Sequence, residues 1–268
     1  MRLHVEVDGP QDALPVVFLH GVSGSSRTYD WLPDDVCDGR RVVKIDLRGH
    51  GASEHARGTY DVDRYGEDVA EVLRTQVGRP ALLVGHSLGG VVAWWLAQQH
   101  PELVVAAFLE DPPLYMGEPA EHEQNIAIPI FRIVLDSVAR WHAEGASEEE
   151  VAAQLAAAPG AADSHDDVHP AFAYALLAMD PGVLEQAADA STLAATDTTS
   201  PVSVPVFLLA AGEELSAFPA RHAERMAHTH PAVEVVRVNG APHGIHNSRA
   251  HRAAYVEQLA RFLDAHGA

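Results

Sequence analysis

The chain has 268 residues, 47% of them apolar and 21% charged, the make-up of one large globular α/β domain with an insertion. No run of about eighteen apolar residues is present to span a bilayer. Eighteen basic residues against thirty-eight acidic ones give a formal charge of −20, which repels phosphate backbones and anionic lipid, so neither nucleic acid nor membrane is an expected partner. The single cysteine, Cys37, excludes an intramolecular disulfide, and the start MRLHVEVDG lacks a basic segment followed by an apolar core. A cytoplasmic location is the default expectation.

In chain order, short β-branched or apolar runs predict seven strands, at Leu3–Val7, Val16–Leu19, Val42–Ile45, Ala81–Val84, Val104–Leu109, Val206–Ala210 and Val233–Val238. Helix-length segments lie between several of them, at Val62–Val77 and Val91–Gln99, and a last helix is expected over Ser248–Ala265. This alternation predicts an α/β fold with a mostly parallel central sheet flanked by helices on both faces. Almost a hundred residues between Leu109 and Val206 break the rhythm and read as helical. Candidates there are Phe131–Glu144, a helix opened by a Ser147/Glu150 capping box and stopped by Pro159-Gly160, Pro170–Met179, and one capped by Asp180-Pro181. The expected organisation is a core from residues 1–111 and 201–268, with a helical cap from 112–200 roofing the carboxyl ends of the strands.

The stretch Gly85-His86-Ser87-Leu88-Gly89 lies between a predicted strand and a predicted helix. In that context G-x-S-x-G describes a nucleophile elbow, a turn so tight that side chains two positions either side of the serine would collide. Ser87 is then presented at the top of the sheet, at a helix N-terminus that favours developing negative charge. A serine hydroxyl needs a base, and the base an orienting acid. Gly240-Ala241-Pro242-His243-Gly244 follows the last strand and makes His243 the candidate base, with His246 in the same loop as the alternative. An oxyanion needs two N–H donors. Leu88 supplies one, and Val22, in the His20-Gly21-Val22-Ser23-Gly24 loop after the second strand, supplies the other.

The His20-Gly21 loop, Asp46-Leu47-Arg48-Gly49-His50-Gly51-Ala52-Ser53, the serine elbow and the terminal Pro242-His243 loop together resemble the α/β-hydrolase fold superfamily, from the N-terminus to about residue 260. The resemblance implies a serine hydrolase acting on a carboxylic ester or lactone through an acyl-enzyme, with no cofactor. Carbon–carbon or amide bond hydrolysis and a non-catalytic small-ligand receptor are the alternatives on this fold. Family members usually carry the triad acid in a Gly-x-x-Asp pattern after the strand that follows the cap, but here Gly212-Glu213-Glu214-Leu215 puts leucine at that position. Some members, among them one group of haloalkane dehalogenases and the fungal zearalenone lactonases, place the acid after the preceding strand. In Glu110-Asp111-Pro112-Pro113 the matching residue is Asp111, with Glu110 and Glu214 as rivals. Period-2 alternation points Glu110 and Asp111 to opposite sides.

Arg48 and His50 are expected to brace neighbouring loops. The run from Asp163 to His169 is expected to be a solvated cap loop rather than a metal site, since no ligand spacing of a zinc centre is present. A small apolar ester or lactone is the expected ligand. Its pocket is expected to draw on His20, Gly21, His86, Tyr115, Met116, Phe131 and Trp141, with Phe172, Tyr174 and Met179 as further cap candidates.

Overall fold

A computed structural model describes residues 1–122 and 127–267. Among the described residues seven strands occur where the apolar runs predict them: β1 (Val5–Asp8), β2 (Pro15–Leu19), β3 (Arg41–Ile45), β4 (Ala81–His86), β5 (Val104–Glu110), β6 (Val206–Ala210) and β7 (Glu234–Arg237). They form one sheet in the order β1-β3-β2-β4-β5-β6-β7. Every neighbouring pair is parallel except β1 with β3. The central strands β2, β4 and β6 are buried along their whole length, which is why they read as continuous apolar runs rather than as alternating ones.

The helices are α1 (Val62–Val72), α2 (Leu88–Gln99), α3 (Pro119–His122), α4 (Ala127–Glu144), α5 (Glu148–Ala156), α6 (Val168–Ala178), α7 (Pro181–Ala188), α8 (Ala220–Thr229) and α9 (Arg252–His266). Five residues of wider π-helical winding, Leu73–Val77, continue α1 to Gly78, which closes it at φ 77°. Apolar side chains of α1, α2 and α8 pack on one face of the sheet. Tyr255, Leu259, Phe262 and Leu263 of α9 pack on the other. Trp94 is wholly buried on α2, and Trp95 lies over Gly66 of α1, where an added Cβ would sit 2.1 Å from the indole.

The described residues between β5 and β6 are mostly helical. Ser147 and Glu150 form the expected reciprocal cap at the start of α5, and Asp180 accepts from Gly182 N to start α7. Helix α6 begins two residues earlier than expected, at Val168, because Pro170 falls within its first turn, where the missing N–H has no intrahelical acceptor anyway. Similarly, α2 begins at Leu88 rather than Val91, directly on the serine. Helices α4 and α7 pack together, as do α5 and α6. The run from Asp163 to His169 departs from expectation. It is a docking seam, not a free loop: Ser164 pairs with Ser248, Asp167 takes Arg252 at 2.8 and 2.9 Å, and His165 N donates to Asn247 O.

Candidate active site

The turn between β4 and α2 carries Ser87 at φ 51°, ψ −115°, a conformation that side chains rarely adopt. A Cβ on Gly85 would lie 2.3 Å from the Gly89 carbonyl oxygen, and one on Gly89 would lie 2.0 Å from that of Leu19. Both flanking positions therefore require glycine. The chain past the end of β5 makes a second such departure, with Asp111 at φ 44°. Among the described residues Ala190, at φ 65°, is the one further non-glycine with positive φ, and it lines the same cavity as Ser87.

Asp111 is fully buried and saturated with donors. Its Oδ1 accepts from Ala211 N at 2.9 Å and Ser216 Oγ at 2.5 Å, and its Oδ2 accepts from Ala217 N at 2.7 Å. His243 Nδ1 lies 2.7 Å from the same Oδ2. Burial alone pushes a carboxyl towards the neutral form, but the bonds from His243, Ser216 and Ala211 outweigh it and hold Asp111 below the usual aspartate range. On His243, burial opposes the charged form, while the Asp111 bond and the charges of Asp111 and Glu110 more than reverse this, so the imidazole is raised above its ordinary range. The rival carboxylates are elsewhere. Glu214 is exposed on the turn after β6, and Glu110 is bound to the rival histidine, with Oε2 at 2.6 Å from His246 Nδ1 and Oε1 accepting from His246 N at 3.0 Å.

Ser87 and His243 open on one cavity of about 440 Å³. Among the described residues no hydrogen bond joins the Ser87 hydroxyl to His243, a contact that in unliganded sites commonly tightens only with substrate. Val22 and Leu88 also line this cavity, and among the described residues neither N–H donates to an intramolecular acceptor. The loop bearing Val22 is held in place from two sides. Gly89 N donates to His20 O at 3.1 Å, and His50 Nε2 lies 2.8 Å from the Val22 carbonyl oxygen. Arg48 braces the neighbouring turn through Asp68 at 2.6 Å, and Asp46 accepts from Ser26 N and Ala52 N.

Of the predicted pocket residues, Gly21, His86, Met116 and Phe131 line the cavity, as does Phe172. His20, Tyr115 and Trp141 do not. The His20 ring is buried between Gly21 O at 2.8 Å and Leu47 N at 3.0 Å, and burial next to His50 drops its pKa to about 3, so it is a neutral brace for the loop. Tyr115 turns away to pack on Phe218 and His222, and Trp141 binds Gln154 Oε1 between α4 and α5. Sequence reasoning missed Ala187, Ala190, Thr192 and Leu193, which reach the cavity from the end of α7 and the turn after it. No spacing rule brings that segment to the serine.

His86, Glu110 and His246 place potential ligand atoms within 4.8 Å of one another. Glu110 already accepts from both the backbone and ring N–H of His246, and His86 Nε2 faces the His243 carbonyl oxygen, so these groups are engaged within the protein. A separate open groove of about 640 Å³, edged by Glu6, Asp30, Asp34 and Lys44, contains none of the side chains discussed above as nucleophile, base or acid.

The sequence matches the alpha/beta hydrolase fold family over residues 15–249. A putative 2-succinyl-6-hydroxy-2,4-cyclohexadiene-1-carboxylate synthase of Bacillus subtilis is 34% identical over 150 residues, covering 53% of this chain and 54% of that one. The chain spans about half or less of the length of the curated relatives it matches. Two solved structures share the fold over nearly their full length. An E-2-(acetamidomethylene)succinate hydrolase superposes with TM-score 0.74 at 22% identity, covering 98% of this chain and 95% of that one. An N-acyl homoserine lactone degrading enzyme superposes with TM-score 0.70 at 24% identity, covering 97% and 96%. With the matched stretch running from β2 past the His243 loop, the chain belongs to the alpha/beta hydrolase fold family.

Proposed function

We propose that the protein is a serine hydrolase that cleaves a neutral carboxylic ester or lactone without a cofactor. The observation that carries this reading is the 2.7 Å bond between Asp111 and His243 at the wall of a cavity that also receives Ser87 on its strained turn. The Ser87 hydroxyl attacks the carbonyl carbon while His243 Nε2 takes its proton. Asp111, fixed by three other donors, holds Nδ1–H and balances the imidazolium as it forms. The N–H groups of Val22 and Leu88 receive the oxyanion, and each such donor contributes about a hundredfold or more in rate. Collapse returns the proton from His243 to the departing alkoxide and leaves the acyl group on Ser87. Water, deprotonated by His243, then releases the acid and restores the serine.

The cavity supports a neutral substrate with an apolar acyl group. Among the described residues no lysine or arginine lines it, and its wall includes Met116, Ile130, Phe131, Phe172, Leu193 and Leu215. Ile130 and Leu215 are more than half exposed, which places an apolar rim at the mouth. We read residues 112–200, including α4 to α7, as the cap that supplies most of these large apolar side chains.

Incubation with a fluorophosphonate probe followed by peptide mass measurement tests the reading. The expected result is one adduct, on Ser87, absent from Ser87→Ala. A chain that stays unlabelled while binding a small ester unchanged would be a receptor on this fold.

A further inference from the structure

The acyl-transfer scheme leaves unused a buried group of titratable side chains beside the site. His86 and Glu110 are register partners on β4 and β5, and each immediately precedes a site residue, Ser87 and Asp111. Partners in a parallel pair project to the same face of the sheet. Against that face lies the segment from Gly240 to Asn247, which carries His243. Glu110, fully buried, holds both the backbone N–H and the ring of His246, at 3.0 and 2.6 Å. His86 Nε2 lies 3.3 Å from the carbonyl oxygen of His243, and the His86 ring stands 4.9 Å from that of His243 and 5.0 Å from that of His246. The rings of Tyr29, Trp31 and Tyr255 also pack around His246.

We propose that Glu110 and His246, assisted by His86, form a positioning clamp for His243: a second carboxylate–histidine pair that ties the loop of the base to the two strands carrying the nucleophile and the acid. The inference rests on His243 acting as the base. A reacting imidazole must be held within about half an ångström of its working position, and a surface loop does not do this unaided. A buried carboxylate that accepts from two N–H groups three residues away supplies the missing constraint. Its charge acts as well. Burial opposes ionisation of Glu110, but the charge and bonds of His246 overcome that, and the resulting carboxylate adds to Asp111 in favouring the His243 imidazolium. Among the described residues the titratable groups facing His243 are Glu110 at the end of β5, Asp111 just past it, and His86 from β4, with His246 behind His86.

The test is the rate of Ser87 labelling by a fluorophosphonate, followed against pH, with thermal melts of each variant. His246→Ala is expected to slow labelling about 10- to 100-fold, the scale of an ångström-size misplacement. His246→Asn, whose side-chain N–H can still reach Glu110, recovers most of that loss. Glu110→Gln slows labelling and moves the acid limb of the profile to lower pH, because one negative charge near His243 is gone. A bond that only supports the fold lowers the melting temperature and leaves the limb in place. The clamp is refuted by His246→Ala labelling within about twofold of wild type, or by folded Glu110→Gln with an unmoved limb. Should Glu110→Gln not fold, the two His246 variants decide. Failure of wild type to label at Ser87 overturns the hydrolase reading and the clamp with it, whereas a normal wild type with indifferent variants overturns the clamp alone.

Discussion

Replacing Asp111 by asparagine perturbs the proposed triad with the least change in shape. Both carboxylate oxygens are acceptors in the folded chain, Oδ1 from Ala211 N and Ser216 Oγ, Oδ2 from Ala217 N and His243 Nδ1. An amide has one acceptor oxygen, so in either orientation its NH2 group faces at least one fixed N–H. The milder orientation directs the NH2 towards Ala211 and Ser216 and leaves its oxygen to His243. The Ser216 hydroxyl can turn to accept, but Ala211 N–H is then unpaired and buried, which costs about 1–3 kcal/mol of stability. Catalysis loses more. Two unit charges about 4 Å apart at an effective dielectric of about 20 attract by about 4 kcal/mol, an attraction that arises only as His243 becomes an imidazolium in the transition state. That corresponds to a fall of roughly a thousandfold in kcat with KM little changed. Steady-state hydrolysis of a p-nitrophenyl ester by Asp111→Asn, beside Glu214→Gln, measures it. Near-normal turnover in folded Asp111→Asn together with collapse in Glu214→Gln would show that the acid is on the turn after β6 instead.

Four further outcomes follow from the same geometry. Because His243 must be neutral to accept the serine proton and its imidazole is raised above its ordinary range, kcat/KM rises with pH along a limb placed above that range, and Asp111→Asn shifts the limb down; a limb in the ordinary range in wild type contradicts the Asp111 pairing. Stability has the opposite dependence for the two partners: the depressed Asp111 carboxyl contributes above the ordinary aspartate range and loses that contribution as pH falls through its folded value, whereas the raised His243 contributes below the ordinary imidazole range and loses it as pH rises through its folded value, a pattern that melts of wild type and Asp111→Asn across pH can resolve. Gly89→Ala would bring a Cβ to 2.0 Å from the Leu19 carbonyl oxygen, so it is expected to destabilise by about 3 kcal/mol or more, and a wild-type melting temperature would show that the turn can relax. Across an ester panel, a terminal carboxylate on the acyl chain should reduce kcat/KM at least about tenfold relative to a methyl end, since among the described residues no lysine or arginine lines the cavity to offset its desolvation; equal rates would mean the acyl chain lies outside the cavity.

Much of this protein was legible from one dimension. The seven apolar runs, the glycines two positions either side of Ser87 and the caps at Ser147 and Asp180 act through neighbours in the chain, so residue type and spacing are enough to place them. The pairing at the site was not local. Alternation separates Glu110 from Asp111 onto opposite sides of β5, yet it cannot say which side meets the His243 loop, because that depends on how β7 and the turn after it lie against the sheet. In the fold two of the three candidate acids pair with the two candidate bases, Asp111 with His243 and Glu110 with His246, each at hydrogen-bond distance, while Glu214 is exposed. The same holds for the cavity wall, where Ala190 and Thr192 arrive from more than a hundred residues downstream of Ser87 while Tyr115 and Trp141 turn into packing between helices. Periodicity and turn chemistry determine elements because they are short-range. Which polar groups share a buried volume is decided only when distant segments pack, since it is packing that removes their water and makes each group's partner matter.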